Sequence, residues 1–369
     1  MSDDNKSLTA KYKIQTPKSL DMKDTIMVIE DQQDLKLIVA HQLQKTGFVP
    51  PKHAQNGLEA VQIIKEQKLK VSAYICDMEM PSMGGLDFLA ELRESQELDR
   101  APFCLTMDNV SKEKLMLAVE NGVDEVLVKP FTLGDIVPKL RAAFAKFHNP
   151  NNPERVYELA KGLLRQEKLD LAAQVYSDLA AAAPKAARPS VGLARIEIKK
   201  KNNELALKYL EEAEAKNPNY VHLYVERAQI YAADNLWDQS IASFQKAIEL
   251  SPLNALRYKA AADLLFKVRR FEDACGLLEL AIKHKLEFPD LFHYLSQAKF
   301  ALKDYKSAQK YIRQALAASP ENVDYLNQLG ICLKETDQAD EAVKVYNQVI
   351  KSDPNNRSAL YNKAILMNF

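Results

Sequence analysis

Four short apolar runs in the first part of the chain each end in a side chain suited to phosphoryl or metal chemistry. Residues 26–29 end in the acid pair Glu30 and Asp31, residues 71–76 in Asp77, residues 103–105 in Thr106, and residues 126–128 in Lys129, with Pro130 and Phe131 next. Each run is too short for a helix, and the one before Asp77 is followed by Pro81, Gly84 and Gly85, so these runs read as buried strands that end in loops. Open α/β sheets bind ligands at the C-terminal ends of their strands. Taken alone, Asp77 fits equally a residue that opens a loop by bonding its own backbone; the other strand ends decide between these readings. Three carboxylates at one end of a sheet repel one another unless a cation lies among them. Oxygen ligands without His or Cys suit a hard ion, Mg²⁺.

The elements that must position these groups follow from the pattern between the runs. Short apolar runs alternate with amphipathic segments, the βα pattern of a parallel sheet. Leu35, Ile38, Val39, Gln42 and Leu43 give the first helix its face, ended by Gly47. Residues 48–54 predict a strand containing Pro50 and Pro51, which confines it to a sheet edge. Helices are predicted over 57–67, 86–95 and 111–121, the last capped by Ser111 and stopped at Gly122. A fifth runs over 132–147, with a kink expected at Pro138. Residues 1–22 carry few large apolar groups and predict a flexible tail. Residues 148–152 form a linker, with Asn152 as N-cap and Pro153 in the first helical position.

Over residues 23–147 the order of acid pair, aspartate, hydroxyl and lysine resembles the receiver domain of bacterial response regulators. The resemblance implies a flavodoxin-like doubly wound sheet in the order 2-1-3-4-5. It implies Asp77 as phosphoacceptor, Mg²⁺ held by Asp31, Asp77 and the backbone carbonyl of Glu79, and Glu30 acting on the ion mostly through water. Thr106 and Lys129 would contact the phosphoryl oxygens. A carboxylate nucleophile makes an acyl phosphate, and metal and ammonium offset charge on the transferring group. The sequence departs from the family at Val126, where Tyr or Phe is common, and at Met107, where a small residue is usual.

Beyond the linker glycine is sparse and helical periodicity continuous. Prolines fall at 184, 218, 252, 320 and 354, with Leu286 filling the gap, a constant step of 34 residues. Small residues recur at the same step: Ala160, Ala194, Ala228, Ala262, Ser296 and Gly330, then Ala172, Ala206, Ser240, Ala274, Ala308 and Ala342. Large residues follow four positions later: Tyr176, Leu210, Phe244, Leu278, Ile312 and Tyr346. This pattern resembles the tetratricopeptide repeat. It implies an all-α solenoid over 153–369, six helix pairs plus a terminal helix. Such an array lines a concave surface with the first helix of each pair. The stripe assigned to that surface is Tyr157, Lys161, Arg195, Val225, Gln229, Lys259, Asp263, Phe266, His293, Gln297, Phe300, Asn327 and Ile331, a mixture suited to a protein segment or peptide. The Lys and Asn pair by which some such domains clamp a carboxylate is not reproduced, because Asp263 follows Lys259.

Composition narrows the function classes. Basic and acidic residues number 50 each, with 19 and 22 up to Pro150 and 31 and 28 beyond it, so neither half is a basic nucleic-acid-binding module. Four scattered cysteines suit the core of a reducing compartment. No apolar run reaches membrane-spanning length and the N-terminus lacks a secretory core, so the cytoplasm is expected. No zinc, nucleotide-loop or hydrolase motif is found. The expected protein is a two-component response regulator, α/β plus all-α, with binding and not catalysis as its output. Its partners would be a sensor histidine kinase or phosphotransfer protein and a protein held by the repeats, with no nucleic acid and no membrane insertion. The alternative is a constitutive adaptor whose receiver is only a docking surface.

Overall fold

The computed structural model describes residues 8–12, 20–95, 101–149, 152–286 and 290–367. Packing divides the chain into two compact units, Met1–Pro218 and Asn219–Phe369. The expected linker at 148–152 falls inside the first of these units, which holds the sheet and the first two helix pairs.

The first unit begins with a single helical turn, α1 (Leu8–Lys11), and continues as β1 (Ile26–Ile29), α2 (Gln33–Lys45), β2 (Lys52–Ala54), α3 (Gly57–Gln67), β3 (Ala73–Asp77), α4 (Gly85–Glu94), β4 (Phe103–Met107), α5 (Lys112–Glu120), β5 (Glu125–Val128) and α6 (Leu133–His148). The five strands are parallel in the order β2-β1-β3-β4-β5, so the order implied by the resemblance is found. Side chains of a strand alternate between faces, and two apolar layers result. Met27, Ile29, Tyr74, Cys76, Phe103 and Leu105 pack with Phe88, Leu89 and Leu92 of α4. Ile26, Val28, Ala73, Ile75 and Cys104 pack with Leu43 of α2 and Ile136 and Leu140 of α6.

Two sequence expectations shift. Pro50 and Pro51 precede β2, which is only three residues long; β2 does lie at the edge, paired with β1 alone. Helix α6 runs through Pro138, which lies on its exposed side. Caps fall where expected: Asn56 accepts from Glu59 N–H, Ser111 from Lys114 N–H, and Asn152 from Glu154 N–H.

The tail expectation needs correction within 1–22. Leu8 and Tyr12 join the apolar cluster of the first repeat, and Lys11 and Tyr12 both bond Asp178. Leu20 packs on the second layer of the sheet, and Met22 O accepts from Val49 N–H at 2.9 Å. A few apolar residues, placed where neighbouring elements leave apolar surface open, suffice to order these stretches. The remainder of the expected tail lies outside the described residues.

The first unit closes with α7 (Pro153–Arg165), α8 (Leu169–Ala182), α9 (Arg188–Lys199) and α10 (Asn203–Lys216). The second unit consists of α11 (Val221–Ala233), α12 (Trp237–Leu250), α13 (Ala255–Lys267), α14 (Phe271–Lys283), α15 (Leu291–Ala301), α16 (Tyr305–Ala318), α17 (Val323–Glu335), α18 (Ala339–Ser352) and α19 (Arg357–Met367). These are the six pairs and terminal helix of the repeat reading.

The small residues are where the paired helices approach. All are buried, and Ser240 Oγ donates to Ala228 O at 2.7 Å across one pair. At Gly330 a Cβ would lie 2.5 Å from the Tyr346 ring, so glycine alone admits that knob.

Within each pair the turn is made by a residue in the left-handed region: Glu167, Lys201, Asn235, Arg269, Lys303 and Asp337, with φ between 56° and 63°. The amide after each bonds to the carbonyl five residues back, as Lys168 N to Leu163 O and Gln338 N to Leu333 O, the Schellman arrangement that ends a helix. None of the six is glycine, so residue type alone does not mark these turns. The four cysteines are free and buried, and no helix of the described residues is long and apolar enough to cross a membrane.

Candidate functional site

The ends of β1, β3, β4 and the residue after β5 meet at one edge of the sheet. The parallel register sets Asp77 beside Thr106, and Lys129 N donates to Met107 O at 2.9 Å. Asp77 is 4% exposed, Thr106 2%, Lys129 7% and Glu30 3%, whereas Asp31 is exposed. Thr106 Oγ1 donates to Asp77 Oδ1 at 3.1 Å. Lys129 Nζ lies 3.0 Å from that same oxygen and 2.9 Å from Glu30 Oε2, with Asp108 Oδ1 at 3.9 Å. Glu30 also accepts from Gln32 N–H at 3.2 Å.

The electrostatics follow from burial. Desolvation raises the Asp77 carboxyl above its ordinary range, while Lys129, the Thr106 hydroxyl and the Met78 N–H oppose the rise. Glu30 is likewise raised by burial and by Asp77, against the pull of Lys129 and Gln32 N–H. Burial alone would lower the Lys129 ammonium, but the two carboxylates outweigh it and leave it raised. The site is a buried cation bridging two carboxylates.

Oxygens of Glu30, Asp31 and Asp77 all lie within 4.8 Å of one another. Three carboxylates against one ammonium leave net negative charge at an edge where Asp31 faces water, so this donor set fits a hard divalent ion. Glu79, whose backbone carbonyl the sequence reading adds to that set, lies just past β3 with an exposed side chain, and Lys114 of α5 pairs with it at 2.6 Å.

The glycine pair next to the site has a steric reason. Gly85 opens α4 and donates to Met78 O at 3.1 Å; a Cβ on it would lie 2.2 Å from Asp77 O. The helix start can therefore press on the backbone of Asp77 only with glycine there. Val126 pairs with Leu105 and is half-buried against the first apolar layer.

The stripe assigned to the repeats divides on inspection. In the first unit Tyr157 is buried, with the Arg188 guanidinium 3.9 Å over its ring. Its place in an open surface is a correction: the ring fills the first-repeat core because no earlier repeat supplies that packing. Lys161 pairs with Glu158 at 2.9 Å, and Arg195 is half-exposed.

In the second unit Gln229 and Lys259 are exposed. Asp263 accepts from Tyr294 at 2.6 Å, and the Tyr294 ring meets Phe266, which also meets Phe271. Phe300 packs on Tyr305. His293 shares a hydrogen bond with Gln297 at 3.2 Å and faces the Tyr325 ring, whose hydroxyl bonds Asp290. Asn327 donates to Asn356 at 3.3 Å, and Val225 and Ile331 are half-buried. Phe266 and Phe300 thus serve packing between helices as well as surface. Tyr294, Tyr325 and Asp290 were missed, because they fall off the heptad-like stripe read from the sequence.

Comparison with known proteins agrees with this geometry. The response regulator receiver domain model matches residues 26–141, and tetratricopeptide repeat models match residues 157–221, 191–255 and 299–364. The chemotaxis protein CheY-3 of Vibrio cholerae serotype O1 is 30% identical over 121 residues, covering 33% of this chain and 92% of that protein. A solved structure of Vibrio cholerae CheY4 is 26% identical, covers 33% of this chain and 98% of that one, and superposes with a TM-score of 0.30. YrrB, described as a TPR protein with an unusual peptide-binding site, is 15% identical, covers 52% of this chain and 99% of that one, and has a TM-score of 0.45. The chain belongs to the response-regulator receiver family, and its receiver domain is followed by tetratricopeptide repeats.

Proposed function

We propose that this protein is a two-component response regulator phosphorylated on Asp77 by a histidine kinase or phosphotransfer protein, with a repeat array that binds another protein as its output. The observation that carries the reading is the Asp77 carboxylate at the end of central strand β3, contacted by Thr106 and Lys129 and beside Glu30 and Asp31. An Asp77 oxygen attacks phosphorus, the bond from phosphorus to the donor's nitrogen breaks, and the donor imidazole leaves. Lys129 and the Thr106 hydroxyl then bond oxygens of the transferred group. Asp31, Asp77 and the Glu79 carbonyl, with Glu30 nearby, would hold Mg²⁺, which would supply charge neutralisation when bound. In the second unit a partner segment would lie against the first helices of the repeats, where Gln229, Lys259 and His293 offer polar contacts; in the first unit, taken by itself, Lys161 and Arg195 offer contacts of the same kind. A cytoplasmic setting fits this partner set.

Intact mass after incubation with a small phosphodonor tests the assignment. One phosphoryl group is expected, dependent on Mg²⁺ and absent from Asp77→Asn, while Asp31→Asn slows its incorporation. Stable modification of Asp77→Asn, or full rate without a divalent ion, would falsify it. A second reading, a constitutive adaptor with little switching, is favoured by Val126, which offers less differential burial than an aromatic ring when the Thr106 hydroxyl turns to a phosphoryl group.

A further inference from the structure

The first helix of a repeat array has no preceding repeat to cover it, and such ends need a cap. Here α1 packs on α7. Leu8 and Tyr12 enter the apolar cluster built from Val156, Tyr157, Ala160 and Val175, together with the half-buried Leu159 and Leu163. One carboxylate anchors the segment: Asp178 Oδ2 accepts from both Lys11 Nζ and Tyr12 Oη, while Gln174 Nε2 holds Oδ1 at 3.2 Å. The Asp178 carboxyl lies below its usual range, because these bonds outweigh its partial burial. The same stretch of chain is fastened to the sheet by Leu20 and by the Met22 carbonyl. The sheet domain is therefore joined to the first repeat twice, by the α6–α7 connection and by this segment.

We propose that the α7–α8 face around Asp178 is a docking site for a basic, aromatic segment, and that the chain's own Leu8–Tyr12 occupies it as a displaceable strap between receiver and repeats. Among the described residues the contact consists of two apolar side chains and one carboxylate with two donors. A competitor bearing the same groups should therefore lift it without unfolding the repeat. The class of competitor follows from the contacts: an apolar residue, then Lys-Tyr three residues on.

Trypsin cleavage after Lys11 in the full chain reads the strap directly. Cleavage should be slow in the native protein and at least tenfold faster in Asp178→Asn. Tyr12→Phe, which keeps the ring and loses the hydroxyl, should give a smaller rise, with helical content by circular dichroism unchanged in both variants. Excess synthetic peptide covering residues 1–16 should accelerate cleavage of the native chain, and the same peptide with Lys11→Glu should not. Equal cleavage in all cases would overturn the proposal. Protection that rises with protein concentration would also overturn it, because a second copy's segment would then be the occupant.

Discussion

The guanidinium of Arg165 in α7 donates to the main-chain carbonyl of Arg93, in the last turn of α4, at 2.6 Å. Arg93 itself reaches Asp124 at 3.4 Å and stacks over Phe147 of α6 at 5.8 Å. One residue thus touches the start of β5, the last helix of the receiver and the first helix of the repeats.

On the proposed function, that junction is where a phosphorylation signal would first reach the repeats. Hydrogen exchange with and without a phosphoryl mimic should change over β4, α5, β5 and α6 and in α4's last turn, then in α7, with Arg165→Ala shrinking the α7 change. A full two-state reversal needs about 5.5 kcal/mol of differential stabilisation, so with Val126 the expected change in partner affinity is about tenfold or less, roughly 1.4 kcal/mol. A thousandfold change, or protection appearing first in α13 to α18, would refute the route.

Lys129→Ala should destabilise the receiver by roughly 3–5 kcal/mol at neutral pH, the cost of leaving buried charge uncompensated. The sign with pH is set by Glu30 and Asp77, whose folded pKa values are already raised. A raised carboxyl opposes folding above its folded pKa and ceases to do so once protonated. The deficit measured by urea unfolding should therefore narrow as pH falls through the raised carboxyl range, and Mg²⁺ should recover part of it at neutral pH. A deficit that widens on acidification would contradict the buried-bridge description.

The left-handed residues predict an unusual gain from glycine. A non-glycine residue in that region costs roughly 1–2 kcal/mol, so Lys303→Gly, at φ 63°, should raise the stability of the second unit by up to about 1 kcal/mol, less the entropy cost of glycine in the unfolded chain. Thermal unfolding checks this. By contrast Gly330→Ala must displace the Tyr346 ring, and overpacking of that kind costs about 1–3 kcal/mol.

The repeats' surface can be separated from their packing. Gln229→Ala with Lys259→Ala should weaken a captured partner at unchanged melting temperature, because both side chains are exposed. Phe266→Ala with Phe300→Ala should lower the melting temperature as well, since both rings pack on neighbouring aromatics. If the phenylalanine pair leaves stability untouched, the packing role is wrong.

The strand ends at Glu30, Asp77, Thr106 and Lys129 and the 34-residue step of the repeats are legible in the residue pattern. Both are local periodicities: alternation fixes which strand residues face each layer, and small residues at a fixed step fix where paired helices touch. The remainder came from the packing of the folded chain. The packing boundary after Pro218, the Arg165 bond to Arg93, the hold of Lys11 and Tyr12 on Asp178 and the burial of Tyr157 each join residues distant in sequence or depend on what a neighbour leaves uncovered. Such contacts leave no periodic trace, because a single side chain in the right place supplies them, and only the folded chain shows which place that is.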